Sequence, residues 1–225
     1  FSNIKTTIFN NSEAEGDLIT SIEPTVEAYL QKTLNKVQND WKSERVGGII
    51  MNPNNGEIIA MAVSPNFDLN TYGKSYDSDV FKNPILENVY EFGSVIKPLV
   101  MAGAIDADII NPQTTYFDNK GSVTVDGKVL SNFDKKGRGT ATMQDVLNQS
   151  LNTGMVFVSQ KMGHEKMRKY MYGYKINERT GIDLPNETYG LTSNLEGKRD
   201  LGYATAAFGQ GIAMTSYQGG HIEYF

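Results

Sequence analysis

Hydrophobic positions fall into a helical rhythm only after the first 20 or so residues. Residues 1–20 are polar and irregular, with Asn10-Asn11-Ser12 and Glu15-Gly16-Asp17 as turn material, and read as a linker or the tail of a preceding region. Val26, Leu30, Leu34 and Val37 then recur on one side of a helix that Pro24 is suited to start, with Gln31, Lys32, Lys36 and Gln38 mostly on the other. Two apolar runs follow, Val46–Met51 and Glu57–Val63, separated by the turn-forming Asn52-Pro53-Asn54-Asn55-Gly56, so they predict a β-hairpin. Their near-continuous apolar character predicts burial on both faces. Ser64-Pro65-Asn66-Phe67-Asp68 ends the hairpin, and residues 69–90 read as loop.

Leu99–Ile105 has no polar face and predicts a buried helix, with Pro98 tolerated in its first turn. Ser122–Val125 and Lys128–Leu130 flank the Asp126-Gly127 turn as short strands. Thr142-Met143-Gln144-Asp145 has the capping-box pattern and opens a helix that Ser150-Leu151-Asn152-Thr153-Gly154 interrupts. A further helix carries Met155, Val158 and Met162 and ends at Gly163. No internal repeat or low-complexity segment is present.

Composition narrows the chemistry. With 225 residues, 39% of them hydrophobic and 21% charged, the chain can bury a sizeable core. A net charge of -5 argues against nucleic acid as a partner. There is no Cys, which removes disulfides, thiolate metal sites and cysteine nucleophiles and suits an extracytoplasmic protein. His164 and His221 are the only histidines, far apart and in no metal-ligand spacing, so both are expected to be structural or superficial. No apolar run approaches the roughly 20 residues of a membrane helix. No signal peptide is recognisable, so an anchor or export signal would have to lie outside this sequence.

The chemistry that remains centres on Ser94. In Glu91-Phe92-Gly93-Ser94-Val95-Ile96-Lys97-Pro98 a hydroxyl and an amine stand three positions apart, close to one helical turn. A serine becomes a useful nucleophile when a neighbouring base takes its proton, and a lysine with a lowered pKa can be that base. The start of a buried helix also supports developing negative charge on or near Ser94. Ser150-x-Asn152, between two helices, offers a second hydroxyl and an amide that could relay a proton or hold a substrate amide. Each pattern alone is better explained by helix capping.

Together and in order, these blocks resemble the transpeptidase domain of class B penicillin-binding proteins. The resemblance runs from about residue 20 to Gln218. It takes in Gly48-Ile49-Ile50-Met51-Asn52-Pro53 and Asn55-Gly56-Glu57-Ile58-Ile59-Ala60-Met61-Ala62. It continues through Ser64–Asp68, Glu91–Pro98, Ser150–Met155, Thr180-Gly181-Ile182-Asp183-Leu184-Pro185 with Glu187, and Ala206–Ile212, with Thr215 and Gln218. It implies an α/β (α+β) fold of the penicillin-binding and serine β-lactamase type. An antiparallel sheet with flanking helices would surround the buried helix that carries the nucleophile. The domain would occupy 21–218, with 219–225 as an atypical tail.

The resemblance also implies a reaction. Ser94 would attack the carbonyl between the last two residues of a peptidoglycan stem peptide ending in D-Ala-D-Ala, and Lys97 would take its proton. Ser150 would pass a proton to the departing amine, Asn152 would hold the substrate amide, and Phe92, Thr153 and Gly154 would contact substrate. β-Lactam antibiotics would acylate the same serine, and the acyl group would pass to an amine of a second stem. No metal or cofactor is expected. Further partners would be proteins of a division or elongation complex outside the cytoplasm, in the periplasm or on the outer face of the cytoplasmic membrane. The membrane would be reached only through an N-terminal anchor not in this sequence.

Departures from the family are specific. Phe92 stands where proline is usual and Leu151 where serine is common. The family's third motif, Lys-[Ser/Thr]-Gly, occurs nowhere in the 225 residues, and Lys135-Lys136-Gly137 precedes Ser150 and is no substitute. Without that motif and its strands, activity would be impaired and the helix after Ser94 would expose apolar surface. Ile222–Phe225 is a weak candidate for one such strand. Two other readings stay open: a catalytically weak β-lactam- or peptide-binding scaffold domain of a cell-wall complex, and a serine β-lactamase.

Overall fold

The computed structural model describes residues 19–71, 73 and 78–222. Residues 1–18 of the expected linker at 1–20, parts of the loop at 72 and 74–77, and the last three residues of the tail lie outside the described residues. In chain order the elements are α1 (Pro24–Trp41), β1 (Val46–Met51), β2 (Ile58–Ser64), α2 (Pro84–Glu87), α3 (Lys97–Asp106), β3 (Thr115–Asp118), β4 (Ser122–Val125), β5 (Lys128–Ser131), β6 (Gly139–Thr142), α4 (Met143–Asn148), α5 (Asn152–Gly173), α6 (Asp200–Ala206) and α7 (Ser216–Ile222). The sheets are antiparallel ladders of two strands each: β1 with β2, β3 with β6, and β4 with β5. The chain divides into two compact units. Among the described residues, one holds those up to Asn88 with Arg179–Thr188 and those from Thr215, and the other holds Val89–Glu178 with Tyr189–Met214.

In the first unit, α1 starts where Glu23 caps it, its carboxylate accepting the N–H groups of Thr25 at 3.0 Å and Val26 at 3.3 Å. The helix lies on the hairpin, with Leu30 and Leu34 over Gly48, where a Cβ would stand 3.1 Å from the Leu30 side chain. Its polar residues are not simply solvated. Gln31 donates to the Val63 carbonyl at 2.9 Å, and Ser64 donates to Asn35 at 2.7 Å and Gln38 at 2.6 Å. The polar side therefore pins the helix to β2, which hydrophobic periodicity cannot reveal.

The hairpin forms as its turn chemistry demands, with Val46 opposite Ser64 and Met51 opposite Ile58. Gly56, at φ 75°, returns its N–H to the Asn52 carbonyl at 2.9 Å. Burial on both faces is not met: Ile50 is 38% exposed, because among the described residues β1 pairs with β2 alone. A cavity of about 440 Å³ opens beside β1 between Gly47, Ile49, Met51, Ile85 and Ser216. Among the described residues its lining has no titratable side chain. The tail of this unit is helical, with Thr215 and Gln218 forming a reciprocal cap: the Gln218 N–H donates to the Thr215 hydroxyl at 3.0 Å and the Thr215 N–H to the Gln218 amide oxygen at 2.9 Å. Ile222 closes that helix rather than starting a strand.

In the second unit α3 packs on α5 at Gly103, where a Cβ would meet the Tyr170 ring at 2.8 Å. Val100, Met101 and Ala104 are buried, yet Pro98, Ala102 and Ile105 form an exposed stripe. The helix is buried on one side rather than all round. The expected break at Gly163 is present, at φ 72° and ψ 168°, but the chain resumes as helix to Gly173. His164, just past the break, pairs with Asp200 at 2.7 Å and stacks on Tyr203 at 3.9 Å, a structural placement.

The capping box opening α4 is complete: the Asp145 N–H donates to the Thr142 hydroxyl at 3.1 Å, and the Thr142 N–H donates to the Asp145 carboxylate at 2.9 Å. The Thr142 hydroxyl, 2.6 Å from the same carboxylate, and then the Thr142 N–H hold the Asp145 carboxyl below its ordinary range. Replacing Thr142 with alanine is expected to lower stability by about 1 kcal/mol, read as a shift of the urea midpoint at unchanged slope.

Candidate active site

Ser94 lies in a 3₁₀ turn, Gly93–Ile96, that runs directly into α3. The approach to it is held by the strand-like segment after α6. The Gly93 N–H donates to the Gly209 carbonyl at 3.0 Å, the Gly211 N–H donates to Glu91 at 2.7 Å, and Tyr90 pairs with Met214. Gly209, at φ 76°, has no room for a side chain, since a Cβ would stand 2.0 Å from the Gly93 carbonyl oxygen. That close approach gives Ala206–Ile212 its part in the site. Phe92 sits at φ -75°, an angle proline would also adopt, so the departure from proline leaves the turn intact.

Lys97 is the first residue of α3 and only 2% exposed. Its ammonium nitrogen donates to the Ser150 carbonyl at 2.7 Å and to the Ser150 hydroxyl at 2.9 Å. The Ser150 hydroxyl in turn is 3.0 Å from Ser94 Oγ. Sequence spacing predicts a direct Ser94–Lys97 contact; instead, among the described residues, both Lys97 hydrogen bonds end on Ser150. Serine 150 is the middle of a three-member chain. Burial lowers the Lys97 pKa from 10.5 to about 8, because the ammonium form loses water that the site does not fully replace. A sizeable fraction of the amine is therefore neutral near physiological pH and able to accept a proton.

Ser150 reaches this position through a left-handed backbone, φ 53°, which costs a non-glycine residue roughly 1–3 kcal/mol and persists only when its surroundings enforce it. The turn ends α4, where the Leu151 N–H returns to the Val146 carbonyl at 2.9 Å, and leads into α5 at Asn152. Asn152 donates its side-chain amide to the Ser131 carbonyl at 2.9 Å, which fixes the amide plane at the edge of the cleft.

Thr153 and Gly154 do not open into the cleft, which corrects the expectation of substrate contact. Thr153 is 6% exposed and spends its hydroxyl and N–H on Asn132, Asp118 and Tyr116. Gly154 is buried against Val146, where a Cβ would come within 2.2 Å of a methyl. Phe92, half-buried, is also absent from the cleft lining and acts in the turn before Ser94.

The cleft holds about 550 Å³ and is lined by Ser94, Ser150, Asn152, Asn132, Phe133 and Gln210 among others. Phe133 and Asn132 follow β5 in a stretch whose sequence carries no local sign of a site. Phe133 is fully exposed at the rim. Asp134 also lines the cleft, but Arg138 donates to it at 2.8 Å and holds its carboxyl below the usual range. Two hydroxyls thus line one open cleft with a buried, partly neutral amine behind them, an arrangement compatible with serine acyl transfer.

Known proteins place this chain in a family. Stage V sporulation protein D of Bacillus subtilis (strain 168) is 32% identical over 203 residues, covering 90% of this chain and 31% of that protein. The peptidoglycan D,D-transpeptidase FtsI of Buchnera aphidicola is 26% identical over 90% of this chain and 35% of its own length. The chain therefore spans about a third of the length of the curated relatives it matches. Among solved structures, a peptidoglycan glycosyltransferase from Burkholderia ambifaria superposes with a TM-score of 0.80 at 22% identity, over 92% of this chain and 60% of that one. The transpeptidase domain of Burkholderia pseudomallei penicillin-binding protein 3 superposes with a TM-score of 0.78 at 20% identity, over 91% and 56% of the two chains. At these identities the superpositions establish the fold. The family described as penicillin binding protein transpeptidase domain matches residues 46–220, a span that includes the hairpin, Ser94, Lys97 and the Ser150 turn. This chain belongs to the penicillin-binding protein transpeptidase family.

Proposed function

We propose that this chain is the D,D-transpeptidase domain of a cell-wall crosslinking enzyme and works through an acyl-Ser94 intermediate. The observation that carries the reading is the unbroken Lys97–Ser150–Ser94 hydrogen-bond chain in an open cleft. Neutral Lys97 draws the proton of Ser150, and Ser150 draws that of Ser94, as the Ser94 oxygen bonds to the carbonyl carbon of the penultimate D-Ala of a stem peptide. The Ser94 N–H, at the start of the turn into α3, is placed to stabilise the developing oxyanion. The proton then returns through Ser150 to the departing D-Ala nitrogen as the amide bond breaks. Asn152 holds the substrate backbone amide. An amine of a second stem attacks the ester, loses a proton along the same path and releases Ser94.

A β-lactam presents an equivalent strained amide, so it is the practical probe. The cleft carboxylate Asp134 is engaged by Arg138 and is a weak base toward water, which favours a lasting acyl-enzyme over β-lactamase turnover. Incubation with a fluorescent penicillin, followed by intact mass, is expected to give one stable adduct per chain. Rapid turnover would turn the reading toward a β-lactamase, and a folded protein without adduct would turn it toward a binding or scaffold domain.

The Lys97 amine sets the pH dependence. Because the neutral form is the base, the acylation rate constant is expected to rise with pH and level off above about 8. A profile flat from about pH 6 to about pH 9 would exclude Lys97 as the base. The place of action is outside the cytoplasm, on peptidoglycan, with proteins of a division or elongation complex as further partners. Among the described residues no helix is long and apolar enough to cross a membrane.

A further inference from the structure

Asp118 is an acidic side chain only 3% exposed, and no step above uses it. It ends β3, and its carboxylate is fully committed. One oxygen accepts the Gly121 N–H at 2.8 Å, and the other accepts the Asn132 amide at 2.8 Å and the Thr153 hydroxyl at 3.2 Å. Asn132, also 3% exposed, turns its own oxygen to Thr153, accepting the N–H at 3.1 Å and, at 3.1 Å, sharing the one hydroxyl proton with Asp118. Beside it, the Ser131 carbonyl takes the Asn152 amide at 2.9 Å. The strand end at 131–132 thus grips the first turn of α5 at two consecutive residues, Asn152 and Thr153, beginning two positions after the strained Ser150. Tyr116 adds its hydroxyl to Thr153 at 3.1 Å, and burial raises its pKa, so it stays a neutral hydroxyl.

We propose that Asp118 is a positioning residue: through Asn132 and Thr153 it fixes the loop that presents Ser150 to both Lys97 and Ser94. A left-handed serine has a strong tendency to relax, and relaxation would carry away both the hydroxyl and the carbonyl that Lys97 touches. Asn132 alone holds the loop less firmly, because without the carboxylate its NH2 side keeps, among the described residues, the longer bond to the Lys136 carbonyl at 3.3 Å. The charged acceptor makes that hold stronger than a neutral pair would. The consequence for catalysis rests on the transpeptidase reading above, whereas the hold on Lys97 is readable in the resting protein.

The test uses Asp118→Asn, which keeps shape but sets an NH2 group against the Asn132 amide or the Gly121 N–H. Two quantities are followed. One is the second-order rate constant for acylation by a fluorescent penicillin. The other is the titration of Lys97 by ¹³C NMR of ε-labelled lysine, assigned by the resonance missing in Lys97→Met. Acylation in Asp118→Asn is expected to fall by about 10- to 100-fold, the scale of a misplaced catalytic group, with Ser94 still the labelled residue. Lys97, reached by water, is expected to titrate about one pH unit or more higher. The exchange Asp118→Asn with Asn132→Asp restores a donor facing an acceptor and is expected to recover both.

An unchanged rate and an unchanged Lys97 titration in folded Asp118→Asn would overturn the proposal. A shifted Lys97 titration in a chain that takes no penicillin even as wild type would uphold the positioning role and refute the transpeptidase reading instead. Should Asp118→Asn fail to fold, Thr153→Val decides. It removes one hydroxyl at constant volume, is expected to move both quantities in the same directions, and overturns the proposal if neither moves.

Discussion

Ser94→Ala takes up no penicillin: its intact mass is expected to stay that of the unmodified chain under conditions where the wild type is fully acylated. The loss is expected to be complete because the substitution removes the atom that forms the ester. It should not reflect unfolding. Ser94 is solvent-exposed in its turn, and an exposed side chain away from caps and core changes stability by no more than about 0.5 kcal/mol. The comparison with Ser150→Ala gives the result its force. Ser150 is the hydroxyl in direct contact with the lysine, and on proximity alone it is the better-activated serine. What Ser94 has in addition is its place in the turn that runs into α3, where on the proposed reading its backbone N–H and the helix dipole would meet the oxyanion. Ser150→Ala is therefore expected to keep a slow adduct, reduced by about 10²- to 10⁴-fold, the usual worth of a positioned proton-transfer group. Persistent labelling of Ser94→Ala would refute the nucleophile.

Lys97→Met is expected to separate activity from stability. Acylation should fall by about 10²- to 10⁴-fold, since the terminal base of the relay is gone. Stability should not fall with it. The folded pKa of Lys97, about 8, lies below the 10.5 of the free side chain, so between those values the unfolded chain binds the extra proton. Stability then rises as pH goes from about 8 to 10.5, and below about 8 the full cost of the buried ammonium is present. That cost is about 3 kcal/mol at neutral pH on the scale of 1.36 kcal/mol per pKa unit. Methionine removes it, offset by about 1–3 kcal/mol for the Ser150 carbonyl left without its donor. The net expectation at neutral pH is between no change and a gain of about 2 kcal/mol in urea unfolding. A loss of several kcal/mol, or acylation at the wild-type rate, would contradict the account.

Local chemistry made some of this molecule readable before any coordinates. The hairpin followed from Asn52–Gly56, the cap of α4 from Thr142 and Asp145, and the break in the long helix from Gly163, because each depends on residues within a few positions of one another. The same kind of signal was present but unread at Thr215 and Gln218, whose cap starts the last helix. Long-range partners were not legible. Nothing near Gln31 or Gln38 says that they bond to β2, and nothing in Leu99–Ile105 says which stripe is exposed. At the site, the spacing of Ser94 and Lys97 singled out two side chains that the fold links, but not the path between them. That path depends on a turn more than 50 residues away, closed at 2.9 and 3.0 Å by a serine in a left-handed conformation. Asp118 and Asn132 gave no signal, because their contacts with Thr153 join segments that only the folded chain brings together.

The most direct measurement is peptide mapping of the penicillin adduct by tandem mass spectrometry, which distinguishes the two hydroxyls that stand 3.0 Å apart. The account predicts that the acyl group is found on the peptide containing Ser94, with fragment ions that bracket that residue. An adduct on Ser150, with Ser94 unmodified, would contradict it.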